Sequence, residues 1–214
     1  MTVSRLPLLL LAAIGLVAAG CGSSPALIQQ SENPDYTSAY SPDDRVVGPY
    51  DLDAIAEAPQ RKVVMMHFDR PVDDVFEFLL TAVDDYDESI VEVTFDHSQS
   101  ETPGQFGVGT RRTCVFDNGK ILVEPLLVYE EDRFYAYTVD AEASTFSIPL
   151  RDIVMFYSFE ERGPQSTLVT VRAHYTPKIW IASPIISSVF KRTVDKTFAS
   201  ATAAFDGRLI DPDA

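Results

Sequence analysis

The longest amphipathic pattern in the chain lies close to its C-terminal end. Over residues 184–209, apolar side chains recur at spacings of three and four, which places them on about one third of a helix. Ser183 and Pro184 are typical of a helix start, and Gly207 and Pro212 of a stop. The pattern predicts one long helix whose apolar face comprises Ile186, Phe190, Val194, Phe198, Ala201 and Phe205.

Shorter segments that predict strands precede this helix. The first spans 62–69 and is followed by two short helical segments, 72–81 and 83–88. Later strand-like segments are joined by short turns, of which Asn118-Gly119 is a typical hairpin signal. Such connections form antiparallel sheets, so we expect a sheet with the long helix covering one face. The later segments span 89–96, 110–116, 120–129, 133–139, 150–160 and 166–177.

The alternation along the strands predicts which side chains face the helix. In 150–160 and 166–177 we assign the more apolar of the two alternating sets to the interior, and we also place Tyr135 and Tyr137 inward. A bent sheet that grips one helix leaves interior space, so the sequence predicts a ligand-binding wall. The alternative is a fully packed core without a cavity. The predicted wall consists of Tyr135, Tyr137, Ile153, Met155, Tyr157, Val169, Val171, Phe190, Val194 and Phe198.

The N-terminal residues have the pattern of a signal peptide. Arg5 precedes an apolar run that is too short to cross a bilayer of about 30 Å. Residues 17–21 (VAAGC) resemble the bacterial lipoprotein cleavage box, with Ala18 where leucine is usual. The resemblance implies cleavage before Cys21, a lipid on its sulfur and acylation of its new amino group, which together anchor stably. The alternative is ordinary secretion, with Cys21 removed or free.

The chain therefore divides into four predicted parts: a signal peptide (1–20), the lipidated cysteine with a flexible tether (21–60), a folded domain (61–209) and a tail (210–214). We expect a lipid-anchored protein of the cell envelope. Gly22 is not the aspartate that often retains lipoproteins at the inner membrane. This favours the periplasmic face of the outer membrane if the host has one, and otherwise the outer side of the cytoplasmic membrane.

The net charge and the cysteine content limit which molecules the chain is expected to bind and which disulfides it can form. The formal net charge of −15 argues against nucleic acid, and we expect a monomer. With Cys21 lipidated, Cys114 has no partner for a disulfide and is expected to be a small core residue. No histidine or cysteine spacing indicates a metal, and no motif indicates a cofactor.

Few polar residues are candidates for chemistry. His67 and Asp69 share one strand face and are weak catalytic candidates, whereas His174 is expected to face solvent beside Thr170 and Arg172. A charge inside an apolar cavity must be paired, and one there would orient a ligand headgroup. The sequence leaves open which charged residue points inward among Asp69, Arg111, Arg112, Glu124, Arg151 and Asp152.

The order of elements and several loose motifs resemble the START/Bet v 1-like (SRPBCC) superfamily, in particular its polyketide cyclase/dehydrase and lipid-transport branch. The motifs are 68–76 (FDRPVDDVF), 107–111 (GVGTR), 119–131 and 166–171 (STLVTV), followed by the closing helix. The resemblance implies an α+β helix-grip fold, with two short helices after the first strand. A curved antiparallel sheet of about seven strands would surround the C-terminal helix. It also implies a deep apolar cavity, and it supplies no common catalytic set.

Three functions are compatible with this sequence. The leading hypothesis is a membrane-anchored lipoprotein that holds an apolar or lipid-like small molecule in its cavity, as a carrier or sensor. The second is a cyclase- or hydrolase-like enzyme acting on a hydrophobic substrate in the same cavity, with a buried tyrosine or the His67–Asp69 pair. The third is an accessory interaction scaffold whose cavity is vestigial.

Overall fold

The computed structural model describes residues 60–211; the predicted signal peptide, Cys21, the tether up to residue 59 and the last three residues lie outside the described residues. No helix within 60–211 is long and apolar enough to traverse a bilayer. The elements are β1 (Gln60–Phe68), α1 (Val72–Thr81), α2 (Val83–Tyr86), β2 (Ile90–Asp96), β3 (Arg111–Phe116), β4 (Ile121–Glu130), β5 (Phe134–Thr138), β6 (Leu150–Gly163), β7 (Ser166–Pro177), α3 (Ser183–Ala204) and β8 (Gly207–Ile210).

All strands form one antiparallel sheet in the order β2-β3-β4-β5-β6-β7-β1-β8. Each strand from β2 to β6 pairs with the next along the chain, as expected for an antiparallel sheet built from consecutive strands. The sheet has eight strands, which is more than the predicted number of about seven. The predicted α+β class, the two short helices after the first strand and the long helix near the C-terminus are confirmed.

The long helix is shorter than predicted at its C-terminal end. It ends at Ala204, and residues 207–210 form β8, which pairs with β1 through Phe68↔Gly207 and Met65↔Ile210. Asp206 adopts a positive φ of 54°, which turns the chain back onto the edge of the sheet. The predicted tail, 210–214, is therefore wrong at Ile210, which belongs to β8. At the other end of the helix, the expected start at Ser183 and Pro184 is corrected by one residue: Ala182, not Ser183, is the N-cap residue.

The inner face of the sheet holds the main apolar core, together with all three helices. Phe76 and Leu79 of α1 and Val194 and Phe198 of α3 are buried against strand side chains in one cluster. The predicted apolar face of the long helix is confirmed: Ile186, Val194, Phe198 and Ala201 are buried, while Phe190 and Phe205 are half-buried.

The outer face of the sheet carries a second buried apolar cluster, which comprises Leu127, Val128, Phe134, Ala136, Val154 and Phe156. The prediction that His174 faces solvent is wrong, because its side chain is buried with its ring edge-on to Phe156 at 5.2 Å. His174 lies opposite Val154 on β6, so Val154 and Phe156 give it apolar neighbours on that side. The polar neighbours within its own strand did not indicate this environment.

Gly207 is required by close packing rather than by its turn. A Cβ atom at this position would lie 2.6 Å from Phe68 Cδ1 and 3.0 Å from the His67 carbonyl oxygen. We expect Gly207→Ala to lower the free energy of unfolding by about 1–3 kcal/mol, the usual cost of overpacking a buried site. Urea unfolding monitored by circular dichroism measures the change. The matched control is Gly163→Ala, where the new Cβ would meet its nearest atom, Ser166 Cβ, at an ordinary 3.8 Å; equal losses for the two variants would contradict the packing argument.

Candidate functional site

Three tyrosines of β5 and β6 line the centre of the inner face. Tyr135, Tyr137 and Tyr157 are all buried, as their alternation predicted. Cross-strand pairing places Tyr135 opposite Tyr157, and their rings stack with centroids 4.5 Å apart. Phe76 of α1 packs edge-on against Tyr135 at 5.3 Å. The inward orientation of these tyrosines is therefore confirmed, while their contact with a ligand stays a prediction.

The remaining predicted wall residues divide between the centre and one end of the inner face. Val169, Val171, Val194 and Phe198 join the central cluster, where the Phe198 ring lies 5.9 Å from the ring of Tyr157. Ile153 and Met155 pack with Ile186 and Phe190, which belong to the N-terminal half of α3. Aromatic side chains thus fill the middle of the predicted hollow.

Open space adjoins the wall at the end that lies near the start of α3. A groove of about 350 Å³ lies between the β5–β6 connection and Lys178. Its apolar lining includes Val139, Ile148, Leu150 and Ile153, which also belong to or pack against the cluster that contains Ile186 of α3. The groove is therefore continuous with the inner wall.

A buried ion pair lies where β3 and β4 border the wall. Arg112 of β3 donates from Nε to Glu124 Oε2 at 3.0 Å, and its Nη2 lies 2.9 Å from the same oxygen. The guanidinium carbon is 3.9 Å from the centre of the Tyr137 ring. Burial, the largest single influence, opposes the charge on Arg112, but Glu124 together with Tyr137, Cys114 and Tyr157 outweighs it, and the pKa of the guanidinium is raised above its ordinary value.

Arg112 also completes the end of α1. Its Nη1 donates to the Leu80 carbonyl oxygen at 3.2 Å, and the Tyr86 hydroxyl donates to the Leu79 carbonyl oxygen at 3.2 Å. Helix α1 has no basic residue in its last turn, so Arg112 supplies the positive charge that favours a helix C-terminus. Cys114 lies beside the pair, and burial raises the pKa of its thiol to about 12, which keeps it neutral.

Of the six charged residues that the sequence left open, Arg112 and Glu124 point inward. Arg111 pairs with Asp140 at 2.7 Å in a half-buried position. Asp69 and Arg151 are exposed, and the side chain of Asp152 lies outside the described part of the chain. The sequence contained a usable signal, because Arg112 and Glu124 lie equally far from Asn118, and a hairpin centred there pairs them.

The hydroxyl of Tyr135 is a buried polar group at the centre of this wall that lacks a partner; the hydroxyls of Tyr175 and Ser187, nearer the start of α3, are two others. The Tyr135 hydroxyl is buried and has no hydrogen-bond partner among the described atoms. Burial raises the pKa of Tyr135, so the phenol keeps its proton and can donate it. An unpaired buried hydroxyl costs about 1–3 kcal/mol, which a ligand with an acceptor atom would recover.

The two weak catalytic candidates meet on the other side of the sheet. His67 Nδ1 lies 3.4 Å from Asp69 Oδ1, and His67 Nε2 lies 2.9 Å from Ser166 Oγ. The neighbours of His67 in β1, Val64, Met66 and Phe68, point into the core, so His67 faces outward. The pair therefore cannot reach a molecule on the inner wall, and its catalytic role stays a prediction. Residues 60–211 contain no cluster of three or more His, Cys, Asp or Glu side chains that could hold a metal.

Comparison with known proteins bears on the fold. No protein-family model and no curated protein matches the sequence. Solved structures that match include the Bacillus cereus protein XoxI, which is 15% identical with a TM-score of 0.52 and coverage of 68% of this chain and 94% of that one. A START superfamily protein from Mycobacterium smegmatis is 11% identical, with a TM-score of 0.51 and coverages of 68% and 96%. The Zhui aromatase/cyclase from Streptomyces is 10% identical, with a TM-score of 0.51 and coverages of 68% and 90%.

These similarities, together with the observed topology, establish the fold of the protein. The chain has a START-like helix-grip fold, as its motifs predicted. At 10–15% identity the matches define the fold alone.

The buried ion pair generates a prediction about stability. We expect Arg112→Met or Glu124→Leu alone to lower the free energy of unfolding by about 3–5 kcal/mol, because each leaves a buried charge without its partner. The double variant should lose less than either single variant, since an apolar pair restores packing without an unpaired charge. Urea unfolding of the four proteins gives the coupling energy.

The control is the exposed pair Glu130–Arg133 at the end of β4. The corresponding leucine and methionine changes there should give a coupling of at most about 1 kcal/mol. Additive losses at Arg112 and Glu124 would show that the pair does not act as a unit.

Proposed function

We propose that the protein is a membrane-anchored lipoprotein that binds an apolar small molecule carrying a hydrogen-bond acceptor, between the sheet and α3. The observation that supports this most strongly is the Tyr135 hydroxyl, which is buried without a partner at the centre of a largely apolar wall. Evolved cores normally pair such groups, and a bound molecule is one way to pair this one.

The geometry supports a route for the ligand. The groove of about 350 Å³ lies at the end of the wall, and Ile153, Met155 and Tyr157 alternate inward along β6 from the groove towards Tyr135. Because aromatic side chains fill the middle of the wall, a molecule that follows these side chains must displace some of them before its acceptor reaches the phenol. The inner wall beyond the groove mouth is largely apolar with few polar groups, which is typical of small-molecule sites.

The anchor is proposed from the sequence. The signal peptide pattern of 1–20 and the cleavage box that ends at Cys21 support a lipid on that cysteine. The protein would then work as a carrier or sensor in the cell envelope. Its position is the periplasmic face of the outer membrane where the host has one, and otherwise the outer side of the cytoplasmic membrane.

Native mass spectrometry of the protein purified from its own host tests the binding. We expect a retained apolar molecule that is lost on denaturation. Tyr135→Phe should retain less of it and, without ligand, should raise the free energy of unfolding by about 1 kcal/mol, because the unpaired hydroxyl is gone.

Tyr86→Phe is the matched control, since it removes a buried hydroxyl that already has a partner, the Leu79 carbonyl. It should lower the free energy of unfolding by about 1 kcal/mol and leave ligand retention unchanged. A protein that retains no apolar molecule, and takes up none from a lipid extract of the host, would overturn the proposed function.

The anchor has its own test. The chain has two cysteines, and in the denatured mature protein we expect only Cys114 to react with a thiol reagent, because the Cys21 sulfur is bonded to lipid. Intact mass should show the added acyl groups, and Cys21→Ser should abolish that mass and release the protein from the membrane fraction. A mature protein without lipid mass would refute the anchor while leaving the binding proposal to the previous test.

A further inference from the structure

An exposed apolar surface surrounds the start of α3. The described residues include eight exposed large hydrophobic side chains, and five of them lie within 179–189. Trp180 is 82% exposed and Ile181 is 74% exposed. Single exposed apolar residues are ordinary on protein surfaces, but five of them within eleven consecutive residues indicate a contact site. We call this surface the α3 patch; it comprises Ile179, Trp180, Ile181, Ile185 and Val189.

Local geometry holds the patch together. The Ser183 N–H donates to the Trp180 carbonyl oxygen at 3.2 Å, which closes a turn directly before the helix. Ile185 and Val189 follow at a spacing of four, so they lie on the same side of α3. Ile186, between them, points into the core. The patch is therefore the outer side of a helix whose inner side covers the predicted ligand wall.

The charge around the patch is opposite to that of the protein. The chain has a formal net charge of −15, with 32 acidic residues. Residues 178–194 contain no acidic residue, while Lys178, Lys191 and Arg192 lie within them. A tryptophan among isoleucines with adjacent cations is the composition that inserts into the headgroup region of an anionic bilayer. Because the remainder of the chain is acidic, such a bilayer attracts this side and repels the others.

We infer that the α3 patch docks on an anionic lipid surface, with Trp180 and Ile181 inserted at the level of the headgroups. The inference rests on the proposed anchor only in that the anchor holds the domain beside a bilayer. It adds a defined orientation: the N-terminal end of α3 and the groove next to Lys178 face the lipid. A protein partner or a second copy of the chain is the competing occupant, and the experiment separates them.

Trp180 is the single tryptophan of the chain, so its fluorescence reports on the patch directly. The full chain is mixed with vesicles of phosphatidylcholine and phosphatidylglycerol in equal parts, with and without bromine on the acyl chains. We expect a shift of the emission to shorter wavelength and quenching by the brominated lipid. Vesicles of phosphatidylcholine alone should give weaker quenching. Lys191→Gln and Arg192→Gln should each lower the docked-to-undocked ratio on anionic vesicles by roughly five-fold.

The apolar contribution is tested by the double variant Ile181→Asp/Ile185→Asp, which should abolish quenching. Val91→Asp is the matched control, because Val91 is 59% exposed on β2 at the far edge of the sheet; it should leave quenching unchanged. Circular dichroism checks that each variant is folded, and the two cation variants test the inference even if the double variant does not fold.

The outcomes distinguish this inference from the anchor. A chain that carries the lipid on Cys21 but leaves Trp180 unquenched at saturating lipid overturns the patch alone. A chain without that lipid whose Trp180 is quenched supports the patch and refutes the anchor. An emission shift that appears on concentrating the protein without vesicles assigns the patch to a second copy and overturns the inference, as does quenching that survives the Ile181→Asp/Ile185→Asp change.

Discussion

The burial of one guanidinium, that of Arg112, constrains the architecture of this domain. A charge removed from water costs several kcal/mol unless its surroundings replace the lost hydration. Glu124 from the adjacent strand, the face of Tyr137 and the Leu80 carbonyl at the end of α1 do so together. These contacts join two strands to the C-terminus of a helix. The position of α1 over the sheet is thus coupled to the pairing of β3 with β4, and Phe76 of α1 is thereby held against Tyr135.

Period-two alternation predicted much of the inner wall because the strands concerned have one clearly apolar face. On β6 and β7 the residues assigned inward, such as Tyr157 and Val171, are on the core side. The same reasoning failed for His174, where the outer face is also apolar over part of its area. A strand between two apolar surfaces has no alternation that reveals which polar residue is buried, and the deciding neighbour, Val154, belongs to another strand.

The C-terminal boundary was not predictable from periodicity, since Phe205 and Leu209 continue the helical spacing. What ends the helix is tertiary: β1 would otherwise form the edge of the sheet, and residues 207–210 pair with it instead. Gly207 lies so close to Phe68 that only a glycine fits there, and this glycine is the one sequence feature that marks the pairing of β8 with β1. A glycine is equally typical of the end of a helix, so it did not distinguish the two structures. The inward orientation of Arg112 could be predicted only from the register between β3 and β4. The hairpin centred on Asn118 sets that register, but only if the residue pairs are counted outward from the turn along both strands.

Two regions of the inner wall differ in chemistry. On β3 and β4, Arg112 and Glu124 satisfy each other and the end of α1. Near the start of α3 lie a groove bordered by Lys178 and, from the next residue onward, the exposed apolar surface before α3. An apolar molecule that leaves a bilayer must keep its contact with water short, because exposed apolar area costs about 25 cal/mol per Å². A groove that opens beside the proposed lipid-facing surface meets that requirement. The position of the groove, more than its volume, is therefore what favours the proposed exchange between the interior and a membrane.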